Sequence, residues 1–146
     1  MSGIYTHKIY RIKSKVPATS RKVLPDGAFI LHEKCWNAYP YCKTIITNPD
    51  YMGENFHIKI ESTHINDHGE TENALNLKGD LKDREVIIID IYDDKYLKES
   101  DITVENDVRK FKSKKTNRGP LVKDWYKNTE PVMCCYKVEI LPSHVN

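Results

Sequence analysis

Apolar and polar residues alternate from the start of the chain. Ile4, Thr6, Lys8, Tyr10 and Ile12 fall on one side and Tyr5, His7, Ile9 and Arg11 on the other, which is the two-residue period of a β-strand. Pro17 begins a segment, residues 18–24, long enough for two helical turns before Pro25-Asp26-Gly27 stops it. A strand is expected over residues 29–38. Tyr39-Pro40 breaks the pattern, residues 41–47 resume it, and Asn48-Pro49-Asp50 turns the chain again, so two neighbouring antiparallel strands are implied. Phe56, Ile58, Ile60 and Ser62 then form one face of a further strand, with His57, Lys59, Glu61 and Thr63 on its wet side.

Asn66-Asp67-His68-Gly69 makes a turn and residues 70–77 continue as loop. The β-branched run at residues 85–92 predicts a central strand buried on both faces. Residues 93–110 are polar and irregular, and residues 109–118 form a basic loop. Pro120 suits the first position of a helix reaching Lys127, and residues 133–141 form a closing strand ended by Pro142. About six strands with short helices between them read as α+β on a mainly antiparallel sheet. No internal repeat interrupts the 146 residues, which are expected to fold as a single domain.

The 23 basic and 21 acidic residues nearly cancel, so charge does not call for a nucleic-acid partner, although it tolerates an anionic membrane surface. The four cysteines, Cys35, Cys42, Cys134 and Cys135, lack zinc-site spacing and make a poor disulfide framework. A reduced, cytoplasmic protein is expected. The N-terminus has no apolar signal region, no apolar run is long enough to span a bilayer, and neither end carries a lipidation motif. Membrane contact is therefore expected to be peripheral.

Six histidines show neither HExxH nor another consistent ligand spacing, and there is no Gly-x-Ser-x-Gly elbow. The expectation is a protein that is not an enzyme and needs no metal or cofactor. Thr6 and Lys8 share a strand face with Ile4, Tyr10 and Ile12, which would aim an ammonium at an apolar interior. A buried lysine pairs with an anion or loses its charge; a phosphate would satisfy it, and snorkelling at the strand end is the alternative. Asn37 offers an amide that both donates and accepts, as a polyol requires. Cys42 taken alone reads first as a small core residue. The basic loop of residues 109–118 has one aromatic, Phe111, and reads as a solvated charge run or a phosphate-binding patch.

The string Trp36-Asn37-Ala38-Tyr39-Pro40-Tyr41-Cys42-Lys43-Thr44 is more specific than any packing rule demands. With Tyr5-Thr6-His7-Lys8-Ile9-Tyr10 upstream and residues 112–121 downstream, it closely resembles the phosphatidylinositol transfer proteins, carriers of one phospholipid between membranes. The resemblance implies a curved START-like helix-grip sheet and a bound phospholipid, phosphatidylinositol with phosphatidylcholine as a second candidate. It also implies transient contact with membrane surfaces. Carried over residue by residue, it places Thr6, Lys8 and Asn37 on the phosphoinositol head and Cys42 and Thr44 near the lipid phosphate. Ser62 stands where the family usually has Thr, and either hydroxyl donates to a phosphodiester oxygen. Ser113 becomes a candidate for regulatory phosphorylation, which would add charge among cations.

The family's domain is longer at both ends. By that comparison the chain is expected to lack the C-terminal lid helices, together with a membrane-docking tryptophan pair and an acidic inositol contact. Moving acyl chains of roughly thirty methylenes out of a bilayer costs on the order of 20 kcal/mol at ~0.8 kcal/mol each, which an uncovered sheet cannot offset. A second reading follows, in which the sheet's apolar face pairs with itself or with another protein, as a homo-oligomer or a lipid-presenting interaction module that transfers nothing.

Overall fold

The computed structural model describes residues 2–53, 56–79 and 84–141. The chain forms two compact units, one of residues 1–77 with 133–146 and one of residues 78–132. The first unit is built on five strands, β1 (Ile4–Arg11), β2 (Ile30–Ala38), β3 (Tyr41–Thr47), β4 (His57–Ile65) and β5 (Cys134–Ile140). They lie in the order β1-β2-β3-β4-β5 with every neighbouring pair antiparallel. The helical segment expected after Pro17 is α1 (Ala18–Val23). Its Arg21 N–H donates to Pro17 O at 3.2 Å and the Leu24 N–H donates to Ser20 O at 3.0 Å, closing its two turns.

Between β1 and β2 the chain passes through a 3-10 turn, Asp26–Phe29, whose Phe29 is buried at 3% exposure. The turn after β3 is tied to it by Asn48, a fully buried amide at 2% exposure. Its Nδ2 donates to Ala28 O at 3.2 Å while Oδ1 accepts from the N–H groups of Tyr51 at 3.0 Å and Met52 at 3.3 Å. A buried amide with each end bonded fixes the chain without leaving polar groups unpaired. Gly27 is held against this turn, since a Cβ there would lie 3.0 Å from the Asp50 Cβ.

The loop following β4 is anchored through Asp67. Its carboxylate accepts from the Tyr136 hydroxyl of β5, the Gly69 N–H at 2.9 Å and the Thr71 hydroxyl, and the Thr71 N–H donates to Tyr136 Oη at 2.9 Å. Burial pushes the Asp67 carboxyl up, but these donors outweigh it and hold it below its ordinary value.

Two expectations fail in the second unit. Residues 85–92 are not a central strand: they pair with no strand among the described residues, and Val86, Ile87, Ile88, Ile89 and Ile91 are between 59% and 80% exposed. β-branched residues favour a strand only where a ladder and a packing face await them. The place beside β4 is taken by β5, which pairs Lys59–Ile65 with Cys134–Ile140. Within the run the Asp90 carboxylate accepts from the Tyr92 N–H at 2.9 Å and from Trp125 Nε1 at 3.0 Å.

The helix expected from Pro120 to Lys127 is also absent. Leu121 gives its N–H to Val108 O at 2.9 Å, and Asp124 sits at φ 60°, so only a 3-10 turn, Trp125–Asn128, forms. A left-handed residue ends right-handed helical winding, and an N–H committed elsewhere cannot join it. The described structure therefore has five strands, in a meander of four followed by β5, rather than six.

Candidate functional site

Directly opposed residues of an antiparallel pair share one face of the sheet, and successive residues alternate between faces. The register therefore decides which candidate residues can act together. One cross-strand row runs Ile4, Asn37, Cys42, Ser62 and Lys137, and the next runs Thr6, Cys35, Thr44, Ile60 and Glu139. A third runs Lys8, Glu33, Ile46 and Ile58. All six residues singled out for a headgroup, Thr6, Lys8, Asn37, Cys42, Thr44 and Ser62, thus lie on a single face in three consecutive rows, spread over β1 to β4.

Strands spaced by about 4.8 Å put Thr6 and Ser62 roughly 14 Å apart across the sheet. One phosphate cannot reach both. The face has one polar end on β1 and β2, with Thr6, Lys8 and Asn37, and another on β3 and β4, with Cys42, Thr44 and Ser62. An open depression of about 250 Å³ lies at this edge of β1 and β2, lined by Ile4 and Asn37 of the polar face and by Gly3, Tyr5, Trp36 and Ala38, whose alternation puts them on its reverse. Gly3 permits its close approach to β2, since a Cβ there would meet Ala38 Cβ and Asn37 O at 2.7 Å.

Lys8 does not point into an apolar interior. Its side chain is 57% exposed and its Nζ donates to Glu33 Oε1 at 3.0 Å, while the Tyr10 hydroxyl donates to Glu33 Oε2 at 3.1 Å. The bond to Glu33 and the charge of that carboxylate raise the ammonium's pKa above its ordinary value. The anion that Lys8 needs is thus already on the neighbouring strand, two positions from Cys35 and four from Asn37. At the other end, burial pushes the Cys42 thiol up, helped by the contact of its Sγ with Cys35 Sγ at 3.6 Å, against a weaker pull down from Thr44.

Two members of the face are not evident from the sequence. Glu33 emerges only because β2 pairs with β1, and Lys137 only because β5 pairs with β4. The alternation of residues 133–141 separates Cys135, Lys137 and Glu139 from Cys134, Tyr136 and Val138, but it cannot say which set joins Ser62. Lys137 Nζ lies 3.0 Å from Glu139 Oε1, with both side chains about half exposed.

The opposite face carries a different set of polar contacts. His7 and His32 ring nitrogens are 3.1 Å apart, and Glu61 accepts from the Tyr41 hydroxyl and pairs with Lys59 Nζ at 2.7 Å. Among the described residues no group of three or more His, Cys, Asp or Glu side chains could hold a metal ion, and no helix is long and apolar enough to cross a membrane.

Ser113 belongs to the second unit. Its N–H donates to Arg118 O at 2.8 Å, its carbonyl accepts from the Asn117 N–H at 2.9 Å and its Oγ accepts from the Thr116 N–H at 3.2 Å, closing a tight loop. Three cations of the basic segment are committed to structure among the described residues, Lys110 through its Nζ 3.5 Å from Asp107 Oδ2. Arg109 pairs with the buried Asp107 at 2.8 Å and with Asp94 at 2.9 Å, and Arg118 donates to the carbonyls of Pro131 at 2.7 Å and Glu130 at 3.1 Å. Gly119, at φ 85°, completes the loop where a Cβ would lie 2.5 Å from Phe111 O.

The sequence model of the phosphatidylinositol transfer protein family matches residues 1–143. The chain belongs to the phosphatidylinositol transfer protein family. It is 48% identical over 142 residues to the rat phosphatidylinositol transfer protein beta isoform, covering 93% of this chain and 52% of that protein. It is 46% identical over 143 residues to phosphatidylinositol transfer protein 1 of Dictyostelium discoideum, with the same coverage. Phosphatidylinositol transfer protein 5 of that organism is 43% identical over 138 residues, 94% of this chain and 47% of the relative. The chain spans about half the length of the curated relatives it matches.

Proposed function

We propose that this chain binds phosphatidylinositol through the three-row polar face of its sheet and serves the movement of that lipid between membranes. The observation that carries the reading is the convergence of Thr6, Lys8, Asn37, Cys42, Thr44 and Ser62 on one face, with a separation that suits a headgroup divided into two parts. The inositol ring lies at the β1–β2 end, where Asn37 and Thr6 exchange hydrogen bonds with ring hydroxyls and Lys8 supplies a cation. The phosphodiester lies toward β3 and β4, where the Thr44 and Ser62 hydroxyls and the Cys42 thiol donate to its oxygens, with Lys137 as a further cation at the end of the Ser62 row. The names of the relatives support phosphatidylinositol as the lipid.

The finer parts of the reading go together. The sheet belongs to a START-like helix-grip domain, and the protein acts without catalysis, metal or cofactor. It works in the cytoplasm, touching membranes transiently and peripherally to exchange phosphatidylinositol, with phosphatidylcholine as a second cargo. Ser113 is a site of regulatory phosphorylation.

Native mass spectrometry of detergent-free protein, followed by exchange of labelled phosphatidylinositol between vesicles, tests the proposal. A phospholipid-sized adduct and transfer that falls about tenfold or more in Lys8→Ala are expected, the loss of one charge-assisted contact. Lipid-free dimers or larger assemblies, or a Lys8→Ala protein with unchanged lipid affinity, would overturn it.

A further inference from the structure

Cys35 and Cys42 face each other across β2 and β3. Cys35 is opposite Thr44 and Cys42 opposite Asn37, so the two thiols occupy neighbouring rows of the same face as diagonal partners. Both are free and half-buried, with Sγ atoms 3.6 Å apart. The remaining thiols cannot compete: Cys134 lies on the other face and Cys135 lies two strands beyond β3, roughly 10 Å away laterally.

We propose that Cys35 and Cys42 form a redox-active dithiol that a hydroperoxide closes to a disulfide, and that closure shuts off headgroup binding on this face. The gating half of the proposal rests on the lipid-binding reading above. In the first step one thiolate attacks the peroxide oxygen, giving a sulfenic acid as the O–O bond breaks. The second thiol then attacks that sulfur and displaces water. Two thiols and one hydrogen peroxide become one disulfide and two waters, with two electrons passing to the peroxide; a thiol reductant reverses the closure by exchange.

The geometry favours a reversible bond over a permanent one. The sulfurs need to close from 3.6 Å to about 2.05 Å, which takes side-chain rotation together with a small approach of β2 and β3. Diagonal partners stand farther apart at Cβ than the 3.5–4.5 Å that an unstrained disulfide prefers. A strained disulfide has a raised reduction potential and is the labile, regulatory kind. Closure would draw the Cys42 sulfur away from Thr44 and Ser62 and remove its S–H donor. It would also pin β2 to β3 at the middle of the polar face, between Thr6, Asn37 and Thr44.

Lys34 and Lys43 bracket the pair, so trypsin releases residues 35–43 with both thiols in one peptide. The full chain is treated with hydrogen peroxide, blocked with N-ethylmaleimide, digested and weighed, and the reduced, oxidised and re-reduced samples are tested for binding to phosphatidylcholine vesicles containing phosphatidylinositol. Expected results are a peptide that has lost two hydrogens and takes up no maleimide, affinity reduced about tenfold or more, recovery on re-reduction, and a Cys35→Ala protein that binds lipid but ignores peroxide. Two maleimide adducts on the oxidised peptide would overturn the dithiol. Closure without change in affinity, or equal inhibition of Cys35→Ala, would overturn the gate. If reduced protein binds no lipid, the lipid-binding reading and the gate that rests on it fall together, while the peptide masses still decide the dithiol by themselves.

Discussion

Asn48 offers a strict test of how the β3–β4 connection is held, and with it the register that sets Cys42 opposite Ser62. In Asn48→Ala the Met52 N–H keeps the Asn48 carbonyl at 3.0 Å, so truncation strips partners from two groups, Ala28 O and the Tyr51 N–H. Tyr51 is exposed, and water can replace what it loses; Ala28 is half-buried and bears a larger desolvation cost. Adding the void left by the amide, the loss is about 2–3 kcal/mol. With a urea slope of ~1.5 kcal/mol/M, the midpoint of unfolding followed by far-ultraviolet circular dichroism falls by about 1.3–2 M. Asn48→Asp separates hydrogen bonding from packing. It keeps the acceptor for the Tyr51 and Met52 N–H groups but sets an oxygen against Ala28 O, so the folded state prefers a protonated carboxyl that can donate. The variant's folded pKa then lies above the unfolded ~3.9. Stability from that carboxyl is full below the unfolded value and lost as pH rises through the folded one. Relative to wild type, Asn48→Asp recovers on acidification while Asn48→Ala does not. A midpoint shift below about 0.3 M for Asn48→Ala, or parallel pH profiles for the two variants, would refute the reasoning.

Three further outcomes are expected. Burial raises Glu61, but the Lys59 and Tyr41 bonds outweigh it and hold it below its ordinary value, while Tyr41 is pushed up to about 12 by burial and then by Glu61. A lowered carboxylate stabilises above its unfolded value and loses that contribution as pH falls through its folded one, so Glu61→Gln should flatten the acid limb of the urea midpoint below about pH 4.5; an unchanged slope would dismiss it. Glu33→Gln removes the anion that competes for Lys8 and should tighten binding to phosphatidylinositol vesicles about two- to fivefold, with weaker binding as the contrary result. Ser113→Glu places a carboxylate where Oγ accepts from the Thr116 N–H and should speed amide hydrogen exchange over residues 114–118, whereas unaltered protection would show that the loop does not depend on this contact.

The strands of the first unit were legible because each carries its own period. Residues 4–11, 30–38, 41–47 and 57–65 alternate, and Pro, Gly and Asn mark their ends. Residues 85–92 misled because β-branched residues state a preference that only a neighbouring strand can satisfy. Nothing local reveals that β5 already occupies the flank of β4. The helix at Pro120 misled in the same way: proline suits a first turn, but the Leu121 N–H belongs to Val108 and Asp124 turns left-handed. The strand face of Lys8 reads as apolar from β1 alone. Glu33, the residue that satisfies Lys8, is 25 positions away in sequence and adjacent only after pairing.

The candidate site shows why parity within a strand is not enough. Thr6 and Lys8, or Cys42 and Thr44, share a face by arithmetic, but whether the two pairs share the same face depends on the hairpins between them. The Tyr39-Pro40 connection sets Ala38 opposite Tyr41, and from that pairing Asn37 meets Cys42 and Cys35 meets Thr44. A slip of one residue would carry every β3 side chain to the other side, leaving Thr6, Lys8 and Asn37 on one face and Cys42 and Thr44 on its reverse. The specificity of residues 36–44 is then physical as well as familial. The stretch specifies a turn, the turn specifies a register, and the register brings two polar halves onto one face. Glu33 and Lys137 enter that face by the same rule, which is why neither could be assigned until the pairing of β1 with β2 and of β4 with β5 was known.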